Sequence, residues 1–319
     1  MPMTSALDTF RALADATRLR ILALLRSMEL SVGELAQVLG QSQPRVSRHV
    51  KILCDAGLAE RRKEGSWVFV ALGDPARTGP MLAALDGWSD STPDHWMVAD
   101  TARLAAVRAD RAAAAGEWFE ANAGQWDAIR SLHVAESEVE QAIARVLGQG
   151  RLGRLIDIGT GTGRMLELFA PAADTALGID RSSEMLRLAR VKLASVPNTE
   201  LRQADLYALP LGDAAADVAI IHHVLHFAQQ PGAAIGEAAR VLLPGGRLLI
   251  ADFAPHDREE LRAREGHTRL GFSDEQMLGW FDAASLAPVQ VETLEGGELT
   301  VKLWLARKTA AAPKEIKAA

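Results

Sequence analysis

The sequence predicts two folded domains of different class. The first is a mainly α winged helix-turn-helix domain, and the second is a larger α/β domain with a mostly parallel sheet. Three observations support this. The length of 319 residues suffices for two domains. The first ninety residues show helical apolar spacings followed by a hairpin pattern, and residues 145–308 alternate short apolar runs with helical stretches.

Composition excludes several classes of protein. The hydrophobic and charged fractions, 48% and 24%, are those of an ordinary globular protein. With a single cysteine, Cys54, we expect no intrachain disulfide, no cysteine-based zinc cluster and a packing role for that thiol. Residues 1–30 contain no unbroken apolar run, and no stretch approaches the roughly 18 apolar residues of a membrane span. We therefore expect a cytoplasmic protein that does not contact a membrane.

The net charge of -6 is unevenly distributed. Residues 41–65 carry six lysines and arginines against three aspartates and glutamates. An acidic protein does not bind nucleic acid through its bulk charge, so any such binding is expected at this basic segment.

The domain predicted over residues 1–90 begins with helices. Apolar residues recur at helical spacing in 7–14 and again in 19–28. The capping-box pair Ser31 and Glu34 predicts the start of a short helix, which Gly40 ends.

A polar-faced helix and a basic hairpin complete this domain. Ser42 and Pro44 predict the start of the helix, and its apolar stripe is formed by Val46, Val50 and Leu53. Residues 59–70 have the pattern of a β-hairpin that turns at Glu64-Gly65.

This order of elements is that of a winged helix-turn-helix, which binds double-stranded DNA. The polar helix is predicted to enter the major groove, and the hairpin to meet phosphates. A solvated charged helix beside a solvated hairpin is the alternative interpretation. The candidate DNA-binding residues are Gln43, Arg45, Ser47, Arg48, His49 and Lys51 on the helix and Arg61, Arg62 and Lys63 on the hairpin.

Residues 5–90 resemble the ArsR-type bacterial repressors. The resemblance is carried by FRALADATRLRIL at 10–22 and SQPRVSRH at 42–49. It implies a homodimer that leaves operator DNA when an effector, often a metal, binds. Metal-sensing members carry paired cysteines where this chain has LSVGEL at 30–35, so we expect no metal at that site.

The connecting residues leave alternatives open. We expect a helical linker over 91–116, which either pairs with a second copy or is a plain spacer. The aromatic residues of 117–127 either cover a ligand or belong to the core. Residues 308–319 are rich in alanine, lysine and proline and are expected to be a disordered tail.

Five strands are predicted in the second domain, over 155–158, 176–179, 200–203, 218–221 and 247–251. The first four end at or beside a polar residue. In open α/β sheets, ligands bind at the carboxyl ends of the strands, so these side chains are expected to share a site. They are Asp157, Asp180, Asp205 and His222.

A glycine-rich turn follows the first of these strands. Its spacing fits neither a dinucleotide motif nor a P-loop, and Asp157 before it would suit a ligand's ammonium group better than a pyrophosphate. Asp180, 21 positions after Gly159, is placed to accept hydrogen bonds from ribose hydroxyls. Asp205 could accept from an adenine amine, with Leu206 and Met185 against the ring.

Residues 117–307 resemble the class I S-adenosylmethionine-dependent methyltransferases, which have a Rossmann-like fold. The resemblance rests on LIDIGTGTG at 155–163, GIDRSSEML at 178–186, ADLYALPL at 204–211 and LPGGRLLI at 243–250. It implies a seven-stranded, mostly parallel sheet that ends in an antiparallel hairpin, over 288–294 and 300–306 around Gly296-Gly297. It also implies S-adenosylmethionine or S-adenosylhomocysteine as ligand. The candidate cofactor-binding residues are Asp157, Gly159, Thr160, Gly161, Gly163, Asp180, Arg181, Met185, Asp205, Leu206 and His222.

The substrate side is the run IHHVLH at 221–226. His222 and His226 are the candidate catalytic residues, and the spacing of His223 and His226 fits one helical face, which would suit either a base or a metal site. Loop histidines bonded to backbone are the alternative, and many methyl transfers need no base. We predict no metal site, and one cysteine argues against arsenite methylation.

Two functions remain open. In the first, the protein is a DNA-binding transcriptional regulator whose second domain binds S-adenosylmethionine or S-adenosylhomocysteine as effector. In the second, it is an active small-molecule methyltransferase that also represses its own operon. The absence of a soft metal ligand at 30–35 favours the first.

Overall fold

A computed structural model describes residues 3–64, 67–88, 96–107, 109, 136–295 and 297–309. The chain divides into two compact units, Met1–Ala114 and Ala115–Ala319. The predictions for residues 91–95, 108 and 110–116 of the linker, the aromatic residues of 117–127, Gly65, Gly296 and residues 310–319 of the tail lie outside the described residues. The predicted boundaries of the linker remain a prediction.

The first unit combines helices with a small antiparallel sheet of strand order β1-β3-β2. Its described elements are α1 (Met3–Leu13), α2 (Ala16–Leu25), β1 (Leu30–Ser31), α3 (Val32–Leu39), α4 (Gln43–Asp55), β2 (Ala59–Glu64), β3 (Trp67–Leu72), α5 (Pro75–Trp88) and α6 (residues 96–107).

Local sequence signals explain where α3 and α4 begin and end. Ser31 and Glu34 form the predicted capping box, and Gly40 ends α3 in a left-handed conformation. Ser42 precedes α4, but its side chain makes no capping hydrogen bond. The predicted stripe of α4 is fully buried in the core of the unit, and Cys54 packs against that core.

An ion pair ties α6 into the first unit. The Arg20 guanidinium donates from Nε and Nη2 to the two carboxylate oxygens of Asp100, at 2.7 and 2.6 Å. Asp100 is buried, and such a bidentate pair fixes both side chains in one geometry.

The second unit is a seven-stranded sheet with helices on both faces, as predicted. Its described elements are α7 (Glu136–Leu147), β4 (Gly153–Ile158), α8 (Arg164–Phe169), β5 (Ala173–Asp180), α9 (Ser183–Lys192), β6 (Thr199–Gln203), β7 (Ala216–His222), α10 (Pro231–Val241), β8 (Leu242–Phe253), α11 (Glu260–Arg264), α12 (Asp274–Ala283), β9 (Leu286–Leu294) and β10 (Val301–Lys308).

The strand order is β6-β5-β4-β7-β8-β10-β9. The first five strands in this order are parallel, and β10 pairs antiparallel with both β8 and β9. All five predicted parallel strands and the predicted hairpin are therefore confirmed. Because the strand order reverses between β4 and β7, the loops after these strands diverge and leave a crevice for a ligand.

Alternate residues of β4 belong to two separate cores. Leu155 packs with Ile143 and Leu166 of α7 and α8, whereas Ile156 packs with Ile235 and other apolar residues of α10 and α12. Successive side chains of a strand point to opposite faces of the sheet. A sheet covered on both faces therefore needs apolar residues at odd and at even positions of each strand. This explains the continuous apolar runs in the sequence.

Candidate functional site

The glycine turn follows β4 and is fixed to the neighbouring strand β5. The backbone amides of Gly159 and Thr160 both donate to the carbonyl oxygen of Ile179, at 2.7 and 2.9 Å. Gly163 precedes α8 as its N-cap residue, in a left-handed conformation. The turn is therefore held at both ends, between the sheet and the start of the helix.

Gly159 is required where it stands, for two reasons. Its φ of +76° is in the left-handed region, which residues with a side chain seldom adopt. A Cβ at this position would also lie 2.9 Å from Val224 Cγ1 and closer still to Val224 Cγ2. The backbone of the turn thus lies directly against the loop that follows β7.

Asp180, at the end of β5, is the best-placed acid. Its Oδ2 accepts from the Gly161 amide and its Oδ1 from the Ser182 amide, each at 2.8 Å. A carboxylate oxygen has a second lone pair, so both oxygens can accept a further hydroxyl. Burial raises the pKa of Asp180, and hydrogen bonds from backbone amides oppose that rise. Two hydroxyls on adjacent carbons of a ligand would satisfy this geometry.

Asp157 is buried beneath the turn. Its Oδ2 accepts from the Thr160 hydroxyl at 2.6 Å. The Asp157 carboxylate thus orders the turn from below, and its expected contact with an ammonium group remains a prediction.

The other predicted cofactor residues surround this edge of the sheet. Asp205 is exposed in a turn, where its Oδ1 accepts from the Tyr207 amide at 3.0 Å. Leu206 is half-buried, Met185 is a buried residue of α9, and Arg181 is exposed. Their expected contacts with an adenine ring or ribose remain predictions.

Histidines gather at the carboxyl ends of β7 and β8. His222 ends β7, and His226 lies in a 3₁₀ turn, Leu225–Phe227. The His226 Nδ1 is 2.8 Å from Asp252 Oδ1 on β8. The ring centroids of His226 and His267 are 4.3 Å apart.

The sequence did not predict Asp252 or His267 as site residues. Asp252 directly follows the fifth predicted strand, in the same way that polar residues lie at the ends of the first four. Burial raises the pKa of Asp252, and the charge of His223 opposes this rise. Burial also lowers the pKa of His267 to about 4, so this imidazole is neutral near pH 7.

The predicted DNA-binding residues of the first unit are not equivalent in the structure. Six of the nine are exposed: Gln43, Arg45, Arg48, Lys51, Arg61 and Lys63. The exposed residues of α4 lie mainly in its first two turns, the part of a recognition helix that reaches base edges. Arg61 Nη2 donates to the carbonyl oxygen of Ser47 at 2.8 Å, which joins the hairpin to this helix.

The remaining three predicted DNA contacts are half-buried. Arg62 donates from both terminal nitrogens to the carboxylate of Glu29, at 3.1 and 2.5 Å. The His49 Nδ1 lies 3.6 Å from Asp15 Oδ1, beside the start of α2. These two side chains face other parts of the domain, so they are less available to DNA than Arg45 or Arg48.

Known proteins resemble each unit separately. Residues 156–250 match the methyltransferase domain family, and residues 15–61 match the family of bacterial regulatory proteins named arsR. A phosphatidylethanolamine N-methyltransferase of Cereibacter sphaeroides is 33% identical over 150 residues, which cover 46% of this chain and 71% of that protein. The chain belongs to the methyltransferase family. Its N-terminal unit carries an arsR-family helix-turn-helix domain.

Two further comparisons agree with this assignment. The arsenical resistance operon repressor of Escherichia coli is 46% identical over 67 residues, 21% of this chain and 57% of that protein. One chain of the complex between the Haloferax volcanii Trm112 methyltransferase activator and a methyltransferase has the same fold, with a TM-score of 0.53 and 18% identity. It covers 62% of this chain and 99% of its own. The chain spans 35% to 71% of the length of the curated relatives it matches.

The matched segments contain most of the candidate site. The methyltransferase match includes the glycine turn, Asp180, Asp205 and His226 and ends two residues before Asp252. The arsR match includes α4 and Arg61. No described helix is long and apolar enough to span a membrane.

Proposed function

We propose that this protein is a transcriptional regulator that binds S-adenosylmethionine or S-adenosylhomocysteine as its effector. The observation that carries the proposal is the carboxylate of Asp180, held at 2.8 Å by the amides of Gly161 and Ser182. In this position it binds the ribose hydroxyls of the ligand. Gly159 and Gly161 lie under the ligand, and Asp205 with Leu206 lies at its adenine.

The arsR-type domain supplies the DNA-binding half of the proposal. Arg45, Ser47 and Arg48 on α4 read the major groove, and Arg61 and Lys63 on the hairpin contact phosphates. Residues 30–35 provide no cysteine, so this domain lacks the thiolates that sense metals in related repressors. The nucleoside ligand of the other unit is therefore the signal.

The regulator acts as a homodimer. The first unit exposes large apolar side chains on α1, where Leu7 and Phe10 are 52% and 62% exposed, and on α6, where Val98 is 62% exposed. Burying these side chains against a second copy removes them from water and places two α4 helices on one DNA molecule. Half-sites lie about 34 Å apart, so a ligand that changes the spacing of these helices changes operator affinity.

The dimer is tested by sedimentation of the full chain carrying Phe10→Glu or Val98→Asp. Both substitutions are expected to shift the dimer to monomer, because a charge in an apolar interface loses its hydration. Val191→Asp is the matched control, since Val191 is 71% exposed on α9 of the other unit. A dimer of unchanged affinity in both variants would refute this interface.

The effector role is tested by operator binding. A DNA fragment selected from a random pool by the full chain is labelled, and its anisotropy is titrated with protein at saturating S-adenosylmethionine, at saturating S-adenosylhomocysteine and without ligand. Calorimetry defines saturation. One ligand is expected to change the DNA dissociation constant by about 5-fold or more. At a ligand concentration that just saturates the unsubstituted chain, Asp180→Asn should reduce the response and leave DNA binding in the absence of ligand intact. If both ligands bind and neither alters DNA affinity, the effector role is wrong.

A second function, methylation of a small molecule, is favoured by the hydrogen bond between His226 and Asp252. A buried carboxylate on Nδ1 orients an imidazole so that Nε2 can accept a proton from an acceptor. The His222 ring centroid is 4.6 Å from that of His223, which in turn is 6.1 Å from that of His226. Formation of S-adenosylhomocysteine from S-adenosylmethionine in a cell extract, lost in His226→Asn or His222→Asn, would support this function. If the protein binds S-adenosylmethionine but forms no S-adenosylhomocysteine, the result would argue against this function.

A further inference from the structure

Three ligand-type side chains meet in the interior at the carboxyl ends of β7 and β8. They are His223, His226 and Asp252, with exposed fractions of 6%, 2% and 0%. One candidate ligand atom of each lies within 4.8 Å of those of the other two. The group belongs to the second unit and is separate from residues 30–35, the position of the paired cysteines in metal-sensing repressors.

We infer that His223, His226 and Asp252 form a binding site for a divalent first-row transition metal, with Zn²⁺ as its probe. Zinc binds imidazole nitrogen and carboxylate oxygen at about 2.0–2.2 Å, so two ligand atoms of a tetrahedral site lie roughly 3.3–3.6 Å apart. The three candidate ligand atoms lie within 4.8 Å of one another, so they are at most about 1.5 Å further apart than in such a site. Small side-chain rotations would close the site.

The backbone holds the three residues in this arrangement. His223 has a φ of +54°, which is uncommon for a residue with a side chain, and its amide donates to the carbonyl oxygen of Ala251 at 2.8 Å. The carbonyl oxygen of His226 accepts from the amides of Thr268 and Arg269, each at 2.9 Å. Strained backbone at a buried polar cluster is typical of functional sites.

His267 supports the inference independently. It is 4% exposed, and its Nδ1 is buried with no hydrogen-bond partner among the described residues. Its ring lies next to that of His226. Leaving a ring nitrogen unsatisfied in the interior is unfavourable, and a nearby cation or a metal-bound water would offset that cost.

The ligand set defines the kind of metal. Two imidazoles and one carboxylate suit zinc or ferrous iron, whereas magnesium and calcium prefer oxygen ligands alone. Three protein ligands leave a fourth position of a tetrahedral site for water or for a small ligand with an oxygen or sulfur donor. This site goes beyond the proposed effector role and does not depend on it.

The competing interpretation is a metal-free hydrogen-bonded cluster, in which a proton bridges His226 and Asp252. Zinc binding to the untagged full chain separates the two. The chain is stripped with chelator and titrated with Zn²⁺ against a competing indicator. We expect saturable binding of one ion per chain, and a flat titration would overturn the site.

His223→Asn is the decisive variant, because asparagine tolerates the left-handed backbone and the imidazole is lost. We expect its affinity for Zn²⁺ to fall by about 100-fold or more. Its circular dichroism must match that of the unsubstituted chain. His49→Asn, a histidine of the first unit, is the control and should bind as before. Unchanged affinity in His223→Asn would place the metal elsewhere and overturn the proposal.

Cobalt gives a readout that needs no variant. Co²⁺ bound by two imidazoles and a carboxylate in four-coordinate geometry has intense visible absorption, whereas an octahedral aqua ion is nearly colourless. Intense bands that Zn²⁺ abolishes are expected. A spectrum like that of the aqua ion would contradict the site even if a variant failed to fold.

Discussion

Replacing Gly159 with alanine tests how closely the glycine turn packs against the loop after β7. Two separate penalties are expected from the structure. The φ of +76° imposes a left-handed backbone on alanine, and the new Cβ would overlap the side chain of Val224. Gly245 provides a matched control, because its φ is +82° and a Cβ there would meet nothing within 4 Å.

The two penalties differ in size and can be separated. A left-handed backbone costs about 1–2 kcal/mol for a residue with a side chain. Overpacking of this kind costs about 1–3 kcal/mol more. Gly159→Ala should therefore destabilise the methyltransferase unit by about 2–5 kcal/mol, and Gly245→Ala by about 1–2 kcal/mol. Adding Val224→Ala to Gly159→Ala removes both γ carbons, so the double variant should recover the overlap penalty in part.

Calorimetry of the full chain measures these effects. The unfolding transition that S-adenosylmethionine shifts upward identifies the methyltransferase unit. The order expected for the midpoint of this transition is unsubstituted, then Gly245→Ala, then Gly159→Ala. Equal losses in the two single variants would show that the turn does not press on Val224. Failure of Val224→Ala to restore any stability in the Gly159→Ala background would lead to the same conclusion.

Three further outcomes are expected. Asp180→Asn should weaken S-adenosylmethionine binding about 10- to 100-fold in calorimetry, because hydrogen bonds to a charged acceptor contribute about 1.5–3 kcal/mol. An unchanged dissociation constant would show that Asp180 does not bind this ligand. The affinity should also fall as pH is lowered through the pKa of Asp180. This pKa is raised, so the loss should begin above the ordinary aspartate value of about 3.9 and be absent in Asp180→Asn. In DNA titrations at several salt concentrations, Arg45→Ala should weaken DNA binding more than Arg62→Ala, because the Arg62 guanidinium is already bound to Glu29. The reverse order would show that the ion pair between Arg62 and Glu29 breaks when DNA binds.

The sequence predicted well what depends on a single segment. Each strand that ends at or beside Asp157, Asp180 or His222 was recognisable from its apolar run and that polar residue. The capping box at Ser31 was predicted for the same reason, since both of its members lie within one turn. Local periodicity and turn chemistry determine such features, so no knowledge of distant contacts is required.

Pairings between segments could not be predicted in this way. His226 and Asp252 are 26 positions apart, and they meet because β7 and β8 pair with His222 opposite Ala251. Arg62 is a basic residue of the hairpin and was therefore predicted to contact phosphates. In the fold, Glu29, which is 33 positions away along the chain, binds its guanidinium instead. One register shift along either strand would break such contacts without changing any local pattern.

The position of β10 has a consequence for biosynthesis. This strand is made after the other described strands, yet it lies inside the sheet, paired with β8 on one side and β9 on the other. Its Trp304 is completely buried. A ribosome that stops before Val301 would release a chain with an apolar, unpaired edge on β8, which favours aggregation.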